Sequence, residues 1–295
     1  MIIVTPTQIT PAKFVSSTAA ISTRANWSAV TSYVTGNEVY YNFKDWIALA
    51  NSTNVTPGTD ASKWLEIGAS NRYAMFDGVI NNVTTATTTL DVRVTPGAVI
   101  NSVSFFQVTG TTIRVQMIDP VEGIVYDETR SLQDNTFVVD WYSYFFEPVG
   151  SLSDISFNDL PAYGSADIRV IVSAGTGNPA IIGECVIGRQ RTIGAANFNT
   201  SVSIQDYSRK ETDQFGNISV ITRPFAKIAD YDVTVETASV NYVQRTLADI
   251  RTTPTVFIGD PNRPETIVYG FYRNFNIVLS TPSISDCTIE VEGLV

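Results

Sequence analysis

The feature that most constrains the fold is a series of short stretches, from residue 72 to 187, in which apolar and polar residues alternate. The clearest are TTTLDVRVT (87–95), SVSFFQVTG (102–110), TIRVQMID (112–119), ADIRVIVSAG (166–175) and AIIGECVIG (180–188). Period-two alternation places the apolar side chains on one face of a strand. Strands about ten residues apart, joined by turns such as Asp119-Pro120-Val121-Glu122-Gly123, are typical of antiparallel sandwiches. The pattern predicts a jelly-roll-like β-sandwich over residues 69–187.

The second half of the chain repeats this strand-rich pattern and adds one helix. In ASVNYVQRTLADIRTTP (238–254), Val240, Val243, Leu247 and Ile250 recur every three or four residues, which is the spacing of a helix with one apolar face. Thr252-Thr253-Pro254 is a stop signal for that helix. We therefore predict an all-β protein, with a second antiparallel β-sandwich at 188–295 that carries one short helix.

Two further segments are harder to place. Residues 1–24 contain two Thr-Pro breaks and little periodicity, so we interpret them as an extended N-terminal arm that packs on a neighbour. FVVDWYSYFFEPV (137–149) is interpreted as an aromatic strand that ends at Glu147-Pro148. Its Trp141, Tyr142 and Phe145 are expected in the core or at an interface.

The residue types exclude several kinds of chemistry. The chain has no histidine, which rules out Ser-His-Asp triads, Cys-His pairs and His-ligated metals. Its two cysteines are too few for a structural zinc site. Cys185 and Cys287 both lie in alternating strand-like runs, and we expect buried free thiols rather than a disulfide. We predict no catalytic residues, no metal and no cofactor.

The charge balance bears on partners. The chain has 19 basic and 29 acidic residues, a net charge of -10, and no Lys/Arg cluster. Binding to nucleic acid needs a concentrated positive field, so no nucleic-acid partner is expected. No run approaches the roughly 20 apolar residues that span a bilayer, so no membrane insertion is expected. The N-terminal sequence is unlike a Sec-type signal peptide.

Residues 25–68 concentrate aromatic rings in a short segment that ends at a Gly-Ala-Ser-Asn linker. The rings follow in the order Trp27, Tyr33, Tyr40, Trp46 and Trp64. A domain of this size is marginal without staples, so several rings must form its core, and Trp27, Tyr33 and Trp46 are the first choice. Tyr40 and Tyr41 are adjacent in a strand and point to opposite faces, so one of them can lie on a surface.

This order resembles the small chitin-binding-type carbohydrate-binding modules of families five and twelve. The matching residues are Trp27, Tyr33, Gly36, Val39, Tyr40, Trp46, Ala48, Pro57 and Trp64. The resemblance implies that a late, exposed tryptophan, here Trp64, stacks on the apolar face of a sugar. The candidate carbohydrate-binding residues are Trp64, Tyr40, Tyr41 and Trp46. The sequence departs from the family at the hairpin turn, where Asn42-Phe43-Lys44-Asp45 replaces the usual Asn-Gly or Asp-Gly.

Carboxylates are the remaining candidates for chemistry. A glycosidase needs a pair roughly 5–9.5 Å apart. The candidates lie at hairpin ends, and nothing in the sequence selects a pair among Asp127/Glu128, Asp154, Asp159, Glu211/Asp213 and Asp230/Asp232. The mixed charge run from Asp206 to Glu211 is expected at an inter-subunit or edge-strand contact, or as protection of an edge from aggregation.

Motifs over residues 71–295 resemble a group of tail-associated virion proteins of tailed bacteriophages. They are NRYAMFDG, WYSYFFEP, LPAYG, IQDYSRKETDQFGN, YVQRTLADIRTTPTVFIGD, YGFYRNF and EVEGLV. The resemblance implies a structural component of the tail or baseplate, assembled into the virion in the host cytoplasm. It also implies a homo-oligomer with other tail proteins as partners, in which the aromatic module contacts host surface glycans. The alternatives are a structural tail or neck adaptor that binds no sugar, and a polysaccharide depolymerase.

Overall fold

The computed structural model describes residues 1–136, 138–147, 150–212 and 214–294. These residues form many short strands and few helices. In chain order the strands are β1 (Ile2–Pro6), β2 (Phe14–Ser17), β3 (Ala25–Asn26), β4 (Ser32–Tyr33), β5 (Glu38–Tyr41), β6 (Lys44–Ala48), β7 (Ser52–Thr53), β8 (Trp64–Ala69), β9 (Thr84–Ala86), β10 (Thr89–Val94), β11 (Ser102–Phe106), β12 (Thr112–Asp119), β13 (Gly123–Ser131), β14 (Gln133–Asp134), β15 (Gly150–Ser151), β16 (Ile155–Phe157), β17 (Asp167–Ser173), β18 (Ala180–Ile182), β19 (Glu184–Thr192), β20 (Ala195–Ala196), β21 (Ser201–Asp206), β22 (Arg209–Thr212), β23 (Ile218–Ile221), β24 (Phe225–Glu236), β25 (Thr255–Ile258), β26 (Ile267–Val278) and β27 (Ile284–Gly293).

Two α-helices interrupt the strands, α1 (Trp141–Phe146) and α2 (Val240–Asp249). Short 3₁₀ turns cover Pro11–Lys13, Ala74–Phe76, Thr237–Ser239 and Pro264–Thr266. The predicted all-β class is confirmed. No helix in the described ranges is long and apolar enough to cross a membrane.

A ten-stranded antiparallel sheet runs through the protein in the order β16-β11-β19-β1-β25-β26-β27-β24-β20, and β21 pairs with β24 beside β20. Strand β19 joins the two halves of this sheet. Its first part, up to Gly188, pairs with β11, and its second part, from Gly188 on, pairs with β1. The predicted domain boundary at 187/188 is therefore wrong, because it falls inside one strand of a continuous sheet.

Gly188 marks the point where β19 changes its partner strand. A Cβ atom at this position would lie 2.2 Å from the carbonyl oxygen of Thr5. Only glycine fits where β19 passes from one partner strand to the other, because the backbone of β1 approaches so closely. The residue is a packing requirement of a strand rather than part of a linker.

The N-terminal segment is part of this sheet. Strand β1 lies between β19 and β25, and Ile3 and Val4 are fully buried on opposite faces of the sheet. Strand β2 then pairs with β10 at the edge of a second sheet. The predicted arm that packs on a neighbour is wrong: residues 1–17 contribute one strand to each of the two largest sheets of their own chain.

The predicted sandwich is built by the β16-β11-β19 part of the large sheet and a five-stranded sheet in the order β13-β12-β17-β10-β2. Alternate residues of both sheets meet in one core. Examples are Val92, Val115 and Val170 on the five-stranded side and Phe105 and Ile187 on the other. This is the packing that the period-two pattern of residues 87–188 predicted.

The second half of the chain forms the rest of the large sheet, and helix α2 covers it. Val243, Leu247 and Ile250 pack against Tyr231, Val233 and other residues of β24, β25 and β27. The predicted helix is confirmed with its apolar face inward. A helix therefore lies on these strands in the place where we had expected the second layer of another sandwich. Cys185 and Cys287 are both buried and free, as predicted.

The segment 137–149 is not a strand. Asp140 caps helix α1, whose residues 141–146 are helical, and of its side chains only that of Ser143 is buried. Trp141, Tyr142 and Phe145 were predicted in the core or at an interface; all three are exposed, so the core part of that prediction is wrong and the interface part stays a prediction. Phe137, Pro148 and Val149, which belonged to the same prediction, lie outside the described residues.

Residues 25–69 fold as a small unit, here called the module, with a four-stranded sheet β3-β5-β6-β8 and the pair β4-β7. The remaining residues from 70 on, together with β1 and β2, are called the body. The two meet through hydrogen bonds to backbone carbonyls: the Ser70 N–H donates to the Phe43 carbonyl (3.0 Å), and the Asn82 side-chain Nδ2 donates to the Ala69 carbonyl (3.1 Å). The linker predicted at 68–71 is thus held by hydrogen bonds at Ala69 and Ser70.

Candidate functional site

Trp64 is a core residue of the module. Its side chain is 2% exposed, its Nε1 donates to the Val55 carbonyl (2.9 Å), and its ring lies edge-on to Tyr33 at 5.2 Å. A ring enclosed in this way cannot lie under a sugar. The prediction that Trp64 is an exposed stacking platform is wrong.

The register of β8 explains the burial of Trp64. Trp64 lies opposite Ala48 of β6, which is also buried, so both point into the module. The next residue, Leu65, points outward and is 54% exposed. Because side chains alternate along a strand, a shift of one residue in register exchanges the inner and outer faces. The order of aromatic residues in the sequence does not fix that register.

Tyr40 is half-buried. It lies close to Tyr73, whose pKa is raised by partial burial first and by the neighbouring Tyr40 second. Tyr73 also contacts the rings of Phe43 and Phe14, at 5.1 and 4.8 Å. The Phe43, Tyr73 and Phe14 rings form an aromatic junction between module and body, and Tyr40 lies near it. The structure does not bring Tyr40 together with Trp64.

The unusual hairpin turn contributes to this junction. Asn42 and Phe43 both have positive φ angles, 50° and 67°, as a two-residue turn between paired strands requires. Phenylalanine is an unfavourable residue there, since its Cβ crowds the backbone in this conformation. Its ring contact with Tyr73 offsets that cost. The departure from the Asn-Gly pattern still forms a tight hairpin, and the hairpin carries an anchor for the body.

Tyr41 and Trp46 form a second, half-buried group together with Trp27. The Trp27 and Tyr41 rings meet edge to face at 5.4 Å, and Trp46 Nε1 donates to the Tyr41 carbonyl (3.2 Å). The Trp46 ring covers Gly58, where a Cβ would come within 3.2 Å of it. Of the four predicted sugar-binding residues, Tyr40, Tyr41 and Trp46 are partly accessible. The Tyr41 ring packs on Trp27 and the Trp46 ring on Gly58.

Helix α1, which we had predicted as a strand with core or interface rings, carries five exposed aromatic rings within six residues. Trp141, Tyr142, Tyr144, Phe145 and Phe146 are each 63–78% exposed. The Trp141 and Phe145 rings are nearly parallel, at 19° and 6.2 Å, and Tyr144 stands edge-on to both. A capping box stabilises the N-terminus of the helix. The Asp140 side chain accepts from the Ser143 N–H (2.8 Å), and the Ser143 hydroxyl accepts from the Asp140 N–H (3.0 Å).

A second exposed surface, here called the wing, comprises residues 201–223 with strands β21, β22 and β23. Every residue of these three strands is exposed. The wing nevertheless carries large apolar side chains, namely Val202, Ile204, Ile218, Val220 and Ile221. The sequence indicated the charged part of this segment as an edge or inter-subunit contact. The apolar part was not singled out, although the alternation in NISVI was a signal for it.

The candidate carboxylates are held by ion pairs and hydrogen bonds. The pKa of Asp127 is lowered by hydrogen bonds from Arg114, and that of Glu128 by hydrogen bonds from Arg130. Tyr126 Oη donates to Glu128 and to Asp159 (2.7 Å), and Lys227 forms an ion pair with Asp154. A glycosidase acid needs a raised pKa, and the shifts of Asp127 and Glu128 run the other way. Asp213 lies outside the described residues.

One carboxylate pair that the sequence did not indicate does have raised pKa values. Burial first, and Asp77 second, raise the pKa of Glu184 well above its usual range, and burial also raises the pKa of Asp77. Both accept backbone N–H groups of the same turn: Gly78 donates to Glu184 (3.0 Å) and Val79 to Asp77 (2.8 Å). The pair therefore fastens the segment after Ala74–Phe76 to β19. It lay beyond sequence reasoning because its members are more than 100 residues apart.

Comparison with known proteins adds no identity. No protein-family model matches the chain. No curated protein matches it significantly.

Proposed function

We propose that this chain is a non-catalytic structural subunit of a larger particle, the tail or baseplate of a tailed bacteriophage, in which it contacts further copies of itself and other tail proteins. The observation that carries the proposal is the exposed apolar surface on helix α1 and on the wing. The motif resemblance over residues 71–295 supplies the kind of particle, and with it the virion as location.

The size of the surface supports an assembly role. A Trp, Tyr or Phe side chain has about 150–250 Å² of surface, so five rings at the exposure of those on α1 present on the order of 500–900 Å². The largest apolar patch on a typical monomer is about 300–600 Å². A standard protein–protein interface covers about 800 Å² per partner. Helix α1 alone therefore offers enough apolar area for one such interface.

The test of this role is the composition of the particle. We expect the protein in purified particles at a fixed number of copies, measured by quantitative mass spectrometry against a tail protein of known copy number. It should remain there after washing in high salt, because apolar contacts are not screened. Complete absence from particles produced by a host that expresses the chain would overturn the proposal.

A second candidate function is contact with host surface glycans, and one observation favours a place for it. With Trp64 buried and Tyr40 half-buried, the near-parallel, open rings of Trp141 and Phe145 offer a more accessible stacking surface. Sugar faces carry apolar C–H groups that stack on such rings. Many weak contacts on one particle would act together through multivalency.

We expect the double variant Trp141→Ala/Phe145→Ala to reduce retention of the protein on host-surface polysaccharide beads about tenfold, which corresponds to about 1.4 kcal/mol of lost stacking. Phe198→Ala is the matched control, since Phe198 is an exposed ring outside helix α1. Equal retention of wild type and double variant would remove helix α1 as a glycan contact. No retention of wild type would favour the adaptor role without sugar binding.

A further inference from the structure

The wing has a free β-edge. Strand β21 pairs with β24 over six residues, from Ser201 opposite Asp230 to Asp206 opposite Phe225. On its other side, no strand among the described residues pairs with it. An open edge presents unpaired N–H and C=O groups, which favour pairing with another strand. Val202 and Ile204 lie on one face of this edge strand, and both are exposed.

One face of the hairpin β22–β23 carries two exposed apolar side chains beside Lys210 and Thr212. Directly opposite residues share a face. Lys210 pairs with Val220 and Thr212 with Ile218, so Ile218 and Val220 lie on one face. The opposite face carries the Arg209–Glu211 ion pair. An isolated two-stranded hairpin is marginal in water, and this one leaves its apolar side chains exposed. Covering that face would stabilise the hairpin itself.

The charge of the wing indicates which partner binds to it. Residues 201–223 contain three basic residues, Arg209, Lys210 and Arg223, and three acidic ones, Asp206, Glu211 and Asp213. The segment is neutral in a chain whose net charge is -10. Two copies of the chain repel each other in general, but two wings do not. A partner that carries the same balanced wing satisfies both the apolar face and the open edge.

We propose that the wing is the contact between copies of this chain, in which the open edge of β21 pairs in antiparallel fashion with β21 of a second copy. A two-fold axis at Ser203 places Val202 of one copy opposite Ile204 of the other, and Ser201 opposite Gln205. No like charges face each other in this register. Val202 and Ile204 of both copies then lie on the same side of one continuous sheet. This inference deepens the proposed assembly role and rests on it.

The first test is the oligomeric state of the full chain in solution, measured by sedimentation velocity over a range of concentrations. We expect wild type to associate and Ile204→Lys/Val220→Lys to raise the dissociation constant at least about tenfold. Both positions are exposed, so the fold is expected to tolerate lysine, and thermal unfolding checks this. Val30→Lys/Val121→Lys is the control, because it adds the same charge at side chains that are 90% and 89% exposed outside the wing.

Control and wild type are expected to give the same distribution of species. A monomeric wild type at its highest soluble concentration would overturn the proposal. So would a wing variant that associates like wild type, or a control that dissociates as much as the wing variant. These outcomes are separate from those for the proposed function: a protein that associates through the wing but is absent from particles would overturn only the tail role.

The second test is cross-linking at the two-fold axis. The strand pairing can place the two-fold axis at residue 202, 203 or 204. One cysteine variant tests each of these registers by placing a thiol on the axis: Val202→Cys, Ser203→Cys and Ile204→Cys. Mild oxidation is expected to give a covalent dimer for one of them, since the native Cys185 and Cys287 are buried. Arg263→Cys, at an exposed site outside the wing, is the control and should remain monomeric. No dimer from any of the three wing variants would overturn the edge pairing.

Discussion

Deletion of residues 1–7 is expected to abolish folding of the body. Strand β1 lies inside the ten-stranded sheet, where it pairs with β19 over five residues and with β25 over three. Each lost hydrogen bond costs about 0.5–1.5 kcal/mol. Ile3 and Val4 are also lost, and removing a buried side chain such as that of Ile3 lowers the free energy of unfolding by about 2–5 kcal/mol. The total reaches or exceeds the roughly 5–15 kcal/mol by which a whole domain is stable.

The measurement is soluble yield, near-UV circular dichroism and thermal unfolding of the truncated chain. Ile3→Asp should destabilise the protein severely, while Gln8→Asp, at an exposed position just after the strand, should unfold within a few degrees of wild type. A synthetic peptide of residues 1–8 supplied during refolding is expected to restore structure, since it can re-enter the open site as an added strand. A truncated chain that unfolds at the wild-type temperature would contradict this account.

The misreading of this segment shows where sequence reasoning ends. The apolar run at Ile2–Val4 is a local signal for a strand, but its partners are residues 188–192 and 256–258. Nothing local indicates where in a sheet a strand inserts. The strands of both cores and the helix could be predicted, because period-two alternation and the helical spacing of Val243 and Leu247 are local patterns. The joining of both halves in one sheet through β19 could not be predicted, because it depends on contacts between distant residues.

The prediction of a strand in place of helix α1 was wrong for a different reason. A run of six residues with five aromatic rings favours a buried strand by propensity and hydrophobicity. The competing signal was present: Asp140 stands three residues before Ser143, and together they form the cap that begins the helix. The rings of this segment do not pack into a core of their own chain. The cap at Asp140 and Ser143 is then the signal that sets the helical backbone conformation. The exposure of the rings then becomes the main indication of function.

The carbohydrate-binding resemblance gave the right aromatic residues and the wrong surface. The module does have a core of Tyr33, Val39 and Trp64, with Trp27 and Trp46 against it. The order of aromatic residues thus identified a compact unit whose few rings hold it together. Which ring is exposed depends on strand register and on the contact with the body through Phe43 and Tyr73. The spacing of the aromatic residues in the sequence predicts neither of these.

Trp64→Ala is therefore expected to unfold the module rather than to remove a ligand contact. Truncation of a buried tryptophan costs about 3–5 kcal/mol. The module is only about 45 residues long, and a domain of that size is marginal without disulfides or metals. We expect rapid proteolysis within residues 25–69 of the variant, while the body, which has separate cores, keeps its thermal transition. The wild-type module should resist the same protease concentration.

Leu65→Ala is the matched control, because it truncates the next residue of the same strand on its exposed face. Its cost is expected to lie within about 0.5–1 kcal/mol, and its module should resist proteolysis as wild type does. The comparison separates the two interpretations of Trp64. If Trp64→Ala kept a protease-resistant module and lost only retention on polysaccharide, the ring would be a ligand platform after all, and the buried register of β8 would be wrong.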